Sequence, residues 1–240
     1  MTFTSDCLKD KRYLITGATG GAGRAAGNLI ARCGGVVTLM GRDPERTEKA
    51  KRALVGAGHT TLVPTSDGVV DLNGLALDGI FHAAGFEHVA GLRMSYGEKV
   101  DDVFWPSIGH AFSLLSANCV KDGGSIVMMS SVAAIRGTAG MSIYSASKGA
   151  IEALVRAAAV ELAPKRIRVN AVRAGAFDSP MHERLTSNMR ALQVDDYAAR
   201  HPLGFGRAED VANAVVFLLS DAAKWITGSA MAVDGGYSCK

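Results

Sequence analysis

A glycine-rich segment lies between a short apolar run and a stretch with helical character near the start of the chain. The apolar run covers residues 13–16, the segment from Gly17 to Gly23 contains four glycines, and the helical stretch covers residues 24–31. Glycine permits tight turns and close backbone approach, and the first turn of a helix offers unpaired N–H groups to a phosphate. A strand, such a turn and a helix together predict a cradle for a dinucleotide pyrophosphate.

Short apolar runs alternate with helical stretches along the rest of the chain, which favours βαβ units and a parallel sheet. The sequence predicts further strands at residues 36–40, 60–63, 79–82, 125–130, 167–172 and 230–233, and long helices at 100–119 and 142–162. The helix expected between the third and fourth strands should be short or absent, because residues 66–78 contain two glycines and little helical periodicity. We expect one α/β domain over residues 1–240: a Rossmann-type, doubly wound, mostly parallel sheet of about seven strands with helices on both faces.

Composition excludes several classes of function. The net charge is +3 with 20% charged residues, and no dense Lys/Arg run indicates a nucleic-acid partner. The four cysteines form no CxxC pair, which argues against a metal site, and Cys33 and Cys119 are expected to be small core residues. No window resembles a signal core or a membrane span, so we expect a cytoplasmic protein without a membrane partner.

Three residues in the second half of the chain suit proton transfer at a carbonyl or alcohol oxygen. Tyr144 and Lys148 are one helical turn apart, so they share a helix face. A cation beside a phenol is expected to lower its pKa toward the working range. Ser131 ends an apolar run, and the carboxyl end of a strand is where an open α/β sheet places its chemistry.

These motifs resemble the short-chain dehydrogenase/reductase family, whose members carry Thr-Gly-x-x-x-Gly-x-Gly and Tyr-x-x-x-Lys. The match runs almost end to end and includes the segments at residues 206–212, 217–221, 226–228 and 233–236. Within the family, the chain looks most like the 3-oxoacyl-(acyl-carrier-protein) reductases. The resemblance implies that Tyr144 is the general acid in reduction, that Ser131 hydrogen-bonds the substrate oxygen and that Lys148 binds the nicotinamide ribose.

The resemblance also implies the set of residues that hold the dinucleotide. The expected set is Gly17, Thr19, Gly20, Gly21, Ala22, Gly23, Arg42, Ala84, Gly85, Tyr144, Lys148, Gly175, Ala176 and Ser179. Ala176 is expected to donate its backbone N–H to the carboxamide.

Arg42 indicates the type of cofactor. Relatives that prefer NAD carry an acidic residue at the end of the second strand, where this chain has Gly41 followed by Arg42. A guanidinium binds a 2′-phosphate well, so we expect NADPH. Asp43 precedes Pro44 and is interpreted as a helix cap.

Two positions depart from the family pattern. Relatives usually place an asparagine on the helix before the fifth strand, where it holds a water that passes protons to the lysine; here that position is Ser107. We expect Ser107, or a helical carbonyl freed by Pro106, to act in its place. The family's Asn-Asn-Ala-Gly begins here with His82, interpreted as a hydrogen-bonded structural residue.

Several functions remain open from the sequence. The leading prediction is an NADPH-dependent reductase of a ketone, a 3-oxoacyl thioester by resemblance, with an acyl carrier protein as a candidate partner. The alternatives are an alcohol dehydrogenase that oxidises a sugar, steroid or diol, and a non-catalytic NADP-sensing protein. A substrate lid is expected at about residues 176–204. A homotetramer is expected through the two long helices and the tail at residues 226–240.

Overall fold

The computed structural model of the chain describes residues 3–64, 71–72, 74–187 and 189–239. Its strands are β1 (Arg12–Thr16), β2 (Val36–Met40), β3 (Thr60–Leu62), β4 (Leu77–His82), β5 (Val120–Ser131), β6 (Arg168–Ala174) and β7 (Ala230–Val233). They form one sheet in the order β3-β2-β1-β4-β5-β6-β7, and each neighbouring pair is parallel. The predicted Rossmann-type fold is confirmed, with a sheet that is parallel throughout.

Helices cover both faces of this sheet. They are α1 (Gly21–Arg32), α2 (Pro44–Arg52), α3 (Glu98–Phe104), α4 (His110–Ser116), α5 (Ser142–Leu162), α6 (Pro180–Thr186), α7 (Ala191–Ala199) and α8 (Ala208–Leu219). Alternate residues of each strand face opposite sides, so Ile15 packs in a core with α1 and α8, whereas Leu14 packs in a core with α4 and α5. The sheet therefore separates two apolar cores.

The helix predicted from Val100 to Cys119 differs from the prediction. α3 passes into a five-residue π-helical segment, Trp105–Gly109, before α4, which ends at Ser116. Pro106 lacks an N–H and cannot make the regular helical bond, which accounts for the wider turn. Gly109 permits it, because a Cβ there would overlap the ring of Trp105.

Other boundaries also differ. β5 begins at Val120, five residues earlier than predicted, and its pairing with β4 contains an irregularity between Leu77 and Gly79. The expected lid contains two short helices, α6 and α7. Residues 65–70 and 73 lie outside the described residues, so the expected lack of a helix between β3 and β4 is left as a prediction.

The carboxyl ends of all the strands meet at one edge of the sheet, because the strands are parallel. This edge gathers Thr16 from β1, Met40 from β2, His82 from β4, Ser131 from β5 and Ala174 from β6. Open α/β sheets bind their ligands at this edge.

Candidate active site

A cleft of about 450 Å³ opens at the carboxyl edge of the sheet. With the exception of Ser107, every residue predicted for catalysis or cofactor binding lines it. These residues are Gly17, Thr19, Gly20, Gly21, Ala22, Gly23, Arg42, Ala84, Gly85, Ser131, Tyr144, Lys148, Gly175, Ala176 and Ser179. The fold thus brings residues distant in sequence into one site, while their individual roles stay predictions.

The glycine-rich loop forms a close-fitting wall of the cleft. Gly17 has a φ of +64°, and a Cβ at this position would lie 2.7 Å from the backbone nitrogen of Ala84. No side chain caps the start of α1 at Gly20, so the N–H groups of its first turn remain for a ligand. This geometry fits a pyrophosphate at the helix N-terminus.

Tyr144 and Lys148 lie on the first two turns of α5, and both side chains are buried. The Lys148 ammonium donates a hydrogen bond to the carbonyl of Met129 at 2.9 Å, and its Nζ lies 5.6 Å from the centre of the Tyr144 ring. Ser131 ends β5, and its Oγ accepts a hydrogen bond from the N–H of Ala133 at 3.2 Å. The strand and the helix therefore present a phenol, a hydroxyl and an ammonium to the same cleft.

Burial is the largest cause of the pKa shifts of Tyr144 and Lys148. It raises the pKa of Tyr144 to about 12, although a hydrogen bond with Ser131 opposes the rise. Burial also lowers the pKa of Lys148 to about 8. The sequence prediction of a lowered tyrosine pKa is therefore wrong for this structure. Tyr144 is protonated at neutral pH, as a proton donor must be.

Ser107 lies in the π-helical segment and does not line the cleft. Its side chain is 1% exposed, and its hydroxyl has no hydrogen-bond partner among the described residues. Its carbonyl oxygen accepts a hydrogen bond from Nε2 of His82 at 2.7 Å. The carbonyl near Pro106 is thus used by a histidine, and the predicted relay through Ser107 stays a prediction.

The backbone of Ala176 is engaged differently from the prediction. Its N–H donates to Nε2 of His201 at 3.1 Å, so it is not available to a carboxamide in this arrangement. His201 itself packs against Tyr197 and Tyr237, at 5.3 and 4.7 Å between ring centres. Ser179 caps α6 by accepting the N–H of His182. The start of the lid is thereby tied to the C-terminal turn of the chain.

Two arginines line the part of the cleft beside β2 and α2. Arg42 follows β2, and Arg46 lies one helical turn later in the first turn of α2. The carboxylate of Asp43 accepts the N–H of Arg46 at 3.0 Å, which confirms its interpretation as a cap. Sequence reasoning missed Arg46, although its i+4 spacing from Arg42 was visible.

Sequence reasoning also missed two charged residues of the cleft. Glu87 and Arg184 line the main cleft and an adjacent cavity of about 470 Å³. The walls of that cavity are otherwise apolar: Phe86, Val89, Leu185 and Met189. Burial raises the pKa of Glu87, and the charge of Arg184 opposes that rise. Only the position of Glu87 two residues after Gly85 could have indicated it.

The described residues contain neither a metal site nor a membrane-spanning helix. These residues contain no group of three or more His, Cys, Asp or Glu side chains that could hold a metal ion. No helix in the same ranges is long and apolar enough to cross a bilayer. Cys33 and Cys119 are buried free thiols, as predicted.

Known proteins with similar sequences cover nearly the whole chain. A family model described as Enoyl-(Acyl carrier protein) reductase matches residues 69–238. The cis-4-hydroxycyclohexanecarboxylate dehydrogenase of Sinomonas cyclohexanicum is 35% identical over 97% of this chain and 98% of its own length. The 3-oxoacyl-[acyl-carrier-protein] reductase FabG of Thermotoga maritima is 32% identical over 95% of this chain and 98% of its own.

Solved structures are also similar to this chain over nearly its whole length. A short chain dehydrogenase/reductase family protein superposes with a TM-score of 0.85 at 30% identity, covering 96% of this chain and 99% of that one. A dehydrogenase from Agrobacterium tumefaciens with bound NADP superposes with a TM-score of 0.89 at 25% identity, covering 99% and 100% of the two chains. This chain therefore belongs to the short-chain dehydrogenase/reductase family and is an oxidoreductase that acts on a ketone or an alcohol.

Proposed function

We propose that the chain is an NADPH-dependent reductase that converts a ketone to a hydroxyl, with Tyr144 as the general acid. The observation that carries the proposal is that Ser131, Tyr144 and Lys148 line the same cleft as the glycine-rich loop. The dinucleotide would supply the hydride, and the protein supplies orientation, proton transfer and exclusion of water.

The proposal gives each polar side chain a role. The protonated phenol of Tyr144 donates its proton to the oxygen as that oxygen gains charge, and the Ser131 hydroxyl holds the oxygen in place. The Lys148 ammonium has three donors, of which one binds the carbonyl of Met129, so two remain for ribose hydroxyls. Burial of both α5 side chains keeps bulk water away from the reacting atoms.

The choice of NADPH over NADH is supported by the end of β2. Arg42 and Arg46 together offer two guanidinium groups where an adenosine 2′-phosphate would lie. A side chain at Gly41 would overlap the hydroxyl of Thr47, so the position leaves no room for a ribose-binding carboxylate. The similar Agrobacterium tumefaciens structure contains NADP.

For the substrate, we propose a 3-oxoacyl thioester, with an acyl carrier protein as a candidate partner. The similarity to the Thermotoga maritima 3-oxoacyl reductase supports this class. A second candidate is a secondary ring alcohol that carries a carboxylate. It is favoured by Arg184, which lines a largely apolar cavity together with Glu87, and by the similarity to the hydroxycyclohexanecarboxylate dehydrogenase.

A spectrophotometric panel separates these candidates. NADPH and NADH are offered with acetoacetyl-CoA, 4-oxocyclohexanecarboxylate and cyclopentanone, and NADP⁺ and NAD⁺ with the matching alcohols. We expect NADPH with acetoacetyl-CoA to be the fastest pair. Turnover of the ring carboxylate alone would replace the first substrate class by the second. NADPH binding without turnover of any compound would favour the non-catalytic alternative.

We also propose a homotetramer, supported by large apolar side chains on the surface. Phe112 on α4 is 57% exposed, Val160 on α5 is 76% exposed and Trp225 before β7 is 97% exposed. On α5, the residues that recur at three- and four-residue spacing and that we expect to meet a partner are Ala150, Leu154, Ala157, Ala158 and Glu161. Of these, Ala158 is buried inside the subunit and is not part of such a surface. Light scattering coupled to gel filtration tests the assembly, because a mass near 25.0 kDa would mean a monomer.

A further inference from the structure

His82 joins two parts of the site that are distant in sequence. It ends β4 and is 1% exposed. Its Nδ1 lies 2.7 Å from the hydroxyl of Thr16 at the end of β1, and its Nε2 lies 2.7 Å from the carbonyl of Ser107 in the π-helical segment. One imidazole thus spans from the strand before the glycine-rich loop to the helix beside the cleft.

The partners fix the form of the ring. A carbonyl can only accept, so Nε2 must carry the hydrogen, and Nδ1 of the neutral ring then accepts from the Thr16 hydroxyl. The Thr16 oxygen in turn accepts the N–H of Ala84 at 3.2 Å. Burial lowers the pKa of His82 to about 3, and the nearby charge of Lys148 acts in the same direction. The bridge therefore stays neutral and keeps one orientation at physiological pH.

The groups at the Thr16 end of the bridge leave little room for adjustment. Thr16 also accepts the N–H of Ala83 through its carbonyl at 3.2 Å, and a Cβ on the next residue, Gly17, would lie 2.7 Å from the backbone nitrogen of Ala84. One residue further along, a Cβ at Gly85 would lie 3.1 Å from Nζ of Lys148. A shift of this segment therefore moves both the wall of the dinucleotide cradle and the surroundings of Lys148.

We propose that His82 is a positioning residue that holds the glycine-rich loop and the π-helical segment in fixed positions through two separate hydrogen bonds. Its Thr16 bond maintains dinucleotide affinity, and its Ser107 bond maintains the order of the helix beside the cleft. The first part rests on the proposed function, because it takes the cleft to be an NADPH site.

Two substitutions separate the bonds. The Oδ1 of asparagine corresponds to Nδ1 of histidine, so His82→Asn keeps the Thr16 bond and loses the Ser107 bond. The longer glutamine amide reaches the position of Nε2, so His82→Gln keeps the Ser107 bond and loses the Thr16 bond. The readouts are NADPH affinity by fluorescence titration, amide hydrogen exchange of residues 105–110 by mass spectrometry, and thermal unfolding.

We expect His82→Gln to weaken NADPH binding by about three- to tenfold, the worth of one neutral hydrogen bond, with unchanged exchange at residues 105–110. His82→Asn should speed that exchange and leave NADPH affinity within about twofold. As controls, Thr16→Val, which also removes the acceptor of the Ala84 N–H, should weaken NADPH binding at least as much as His82→Gln, and Ser107→Ala, which keeps the carbonyl, should leave the exchange unchanged.

If NADPH affinity and the exchange of residues 105–110 change together in both variants, in proportion to a fall in Tm, His82 is only a general stabiliser. That result would overturn the proposal. No change in either variant would overturn it as well. If the wild-type chain does not bind NADPH, the proposed function fails by itself, and the exchange of residues 105–110 in the two variants still decides whether His82 holds the helix.

Discussion

A buried ion pair between β6 and α5 gives the sharpest prediction about stability. Arg173 on β6 binds Glu152 on α5 through two hydrogen bonds, Nε to Oε1 at 2.8 Å and a terminal nitrogen to Oε2 at 2.7 Å. Ser130, next to Ser131, donates to the same carboxylate at 2.8 Å. Arg173→Met keeps most of the side-chain volume but removes both charged hydrogen bonds, so a buried carboxylate keeps only Ser130 as its partner.

The size of the loss follows from the burial of the pair. Breaking a buried pair from one side costs about 3–5 kcal/mol, because the remaining charge is left in a low dielectric. The Glu152 side chain is 7% exposed but that of Arg173 is 18% exposed, so water can reach the vacated space. We therefore expect the lower end, about 3 kcal/mol in the free energy of unfolding. Glu152→Leu combined with Arg173→Met removes the stranded charge and should recover most of this loss.

Urea unfolding followed by circular dichroism, at one fixed protein concentration, measures both variants. The pH dependence gives a second check. Burial raises the pKa of Glu152, but hydrogen bonds from Arg173 and Ser130 together hold it below its usual value. The stabilisation that ionised Glu152 provides is present above its unfolded pKa and is lost as the pH falls. The difference in the free energy of unfolding between the wild type and Arg173→Met should therefore become smaller in acid. A single variant within about 0.5 kcal/mol of wild type, or a double variant as unstable as the single, would refute the reasoning.

Three further predictions concern the cleft. Tyr144→Phe should lower kcat by about two orders of magnitude or more while NADPH affinity stays within about twofold, since only the proton donor is lost; turnover within about tenfold of wild type would contradict the assigned role. Arg42→Asp should shift the ratio of kcat/KM for NADPH and NADH by about 2 kcal/mol toward NADH, and Arg46→Ala should shift it less in the same direction. If this ratio does not change in Arg42→Asp, Arg42 is only a surface charge. The free energy of unfolding of the wild type, relative to that of Lys148→Met, should rise between about pH 8 and pH 10. In this range the folded state has released the Lys148 proton that the unfolded chain still holds. If urea titrations show no change of this difference with pH, Lys148 is not desolvated.

The elements that pack on the sheet were predictable because their sequence patterns are local. Alternating apolar runs indicated each of the seven strands, and α5 and β7 have the predicted boundaries. The glycine-rich loop was recognisable because close backbone approach admits few other residues. The predicted site residues at the strand ends followed from the parallel order of the sheet.

The remaining features depend on packing contacts that the sequence pattern does not specify. Pro106 indicated a disturbed helix, but a π-helical turn also needs Trp105 packed over Gly109. The pKa of Tyr144 is set by burial, which its spacing from Lys148 does not reveal. The N–H of Ala176 bonds to a ring 25 residues further along the chain, and no local pattern indicates that partner.

If Ala176 binds the nicotinamide carboxamide as predicted, its bond to His201 couples cofactor binding to the packing of the lid. A carboxamide that took the Ala176 N–H would leave Nε2 of His201 without its donor, although that ring is held between Tyr197 and Tyr237. The affinity for the cofactor would then include the free energy of rearranging α7 and the C-terminal turn. Such coupling is reciprocal. A cofactor bound in this way would destabilise the aromatic cluster by the same free energy by which the intact cluster weakens cofactor binding.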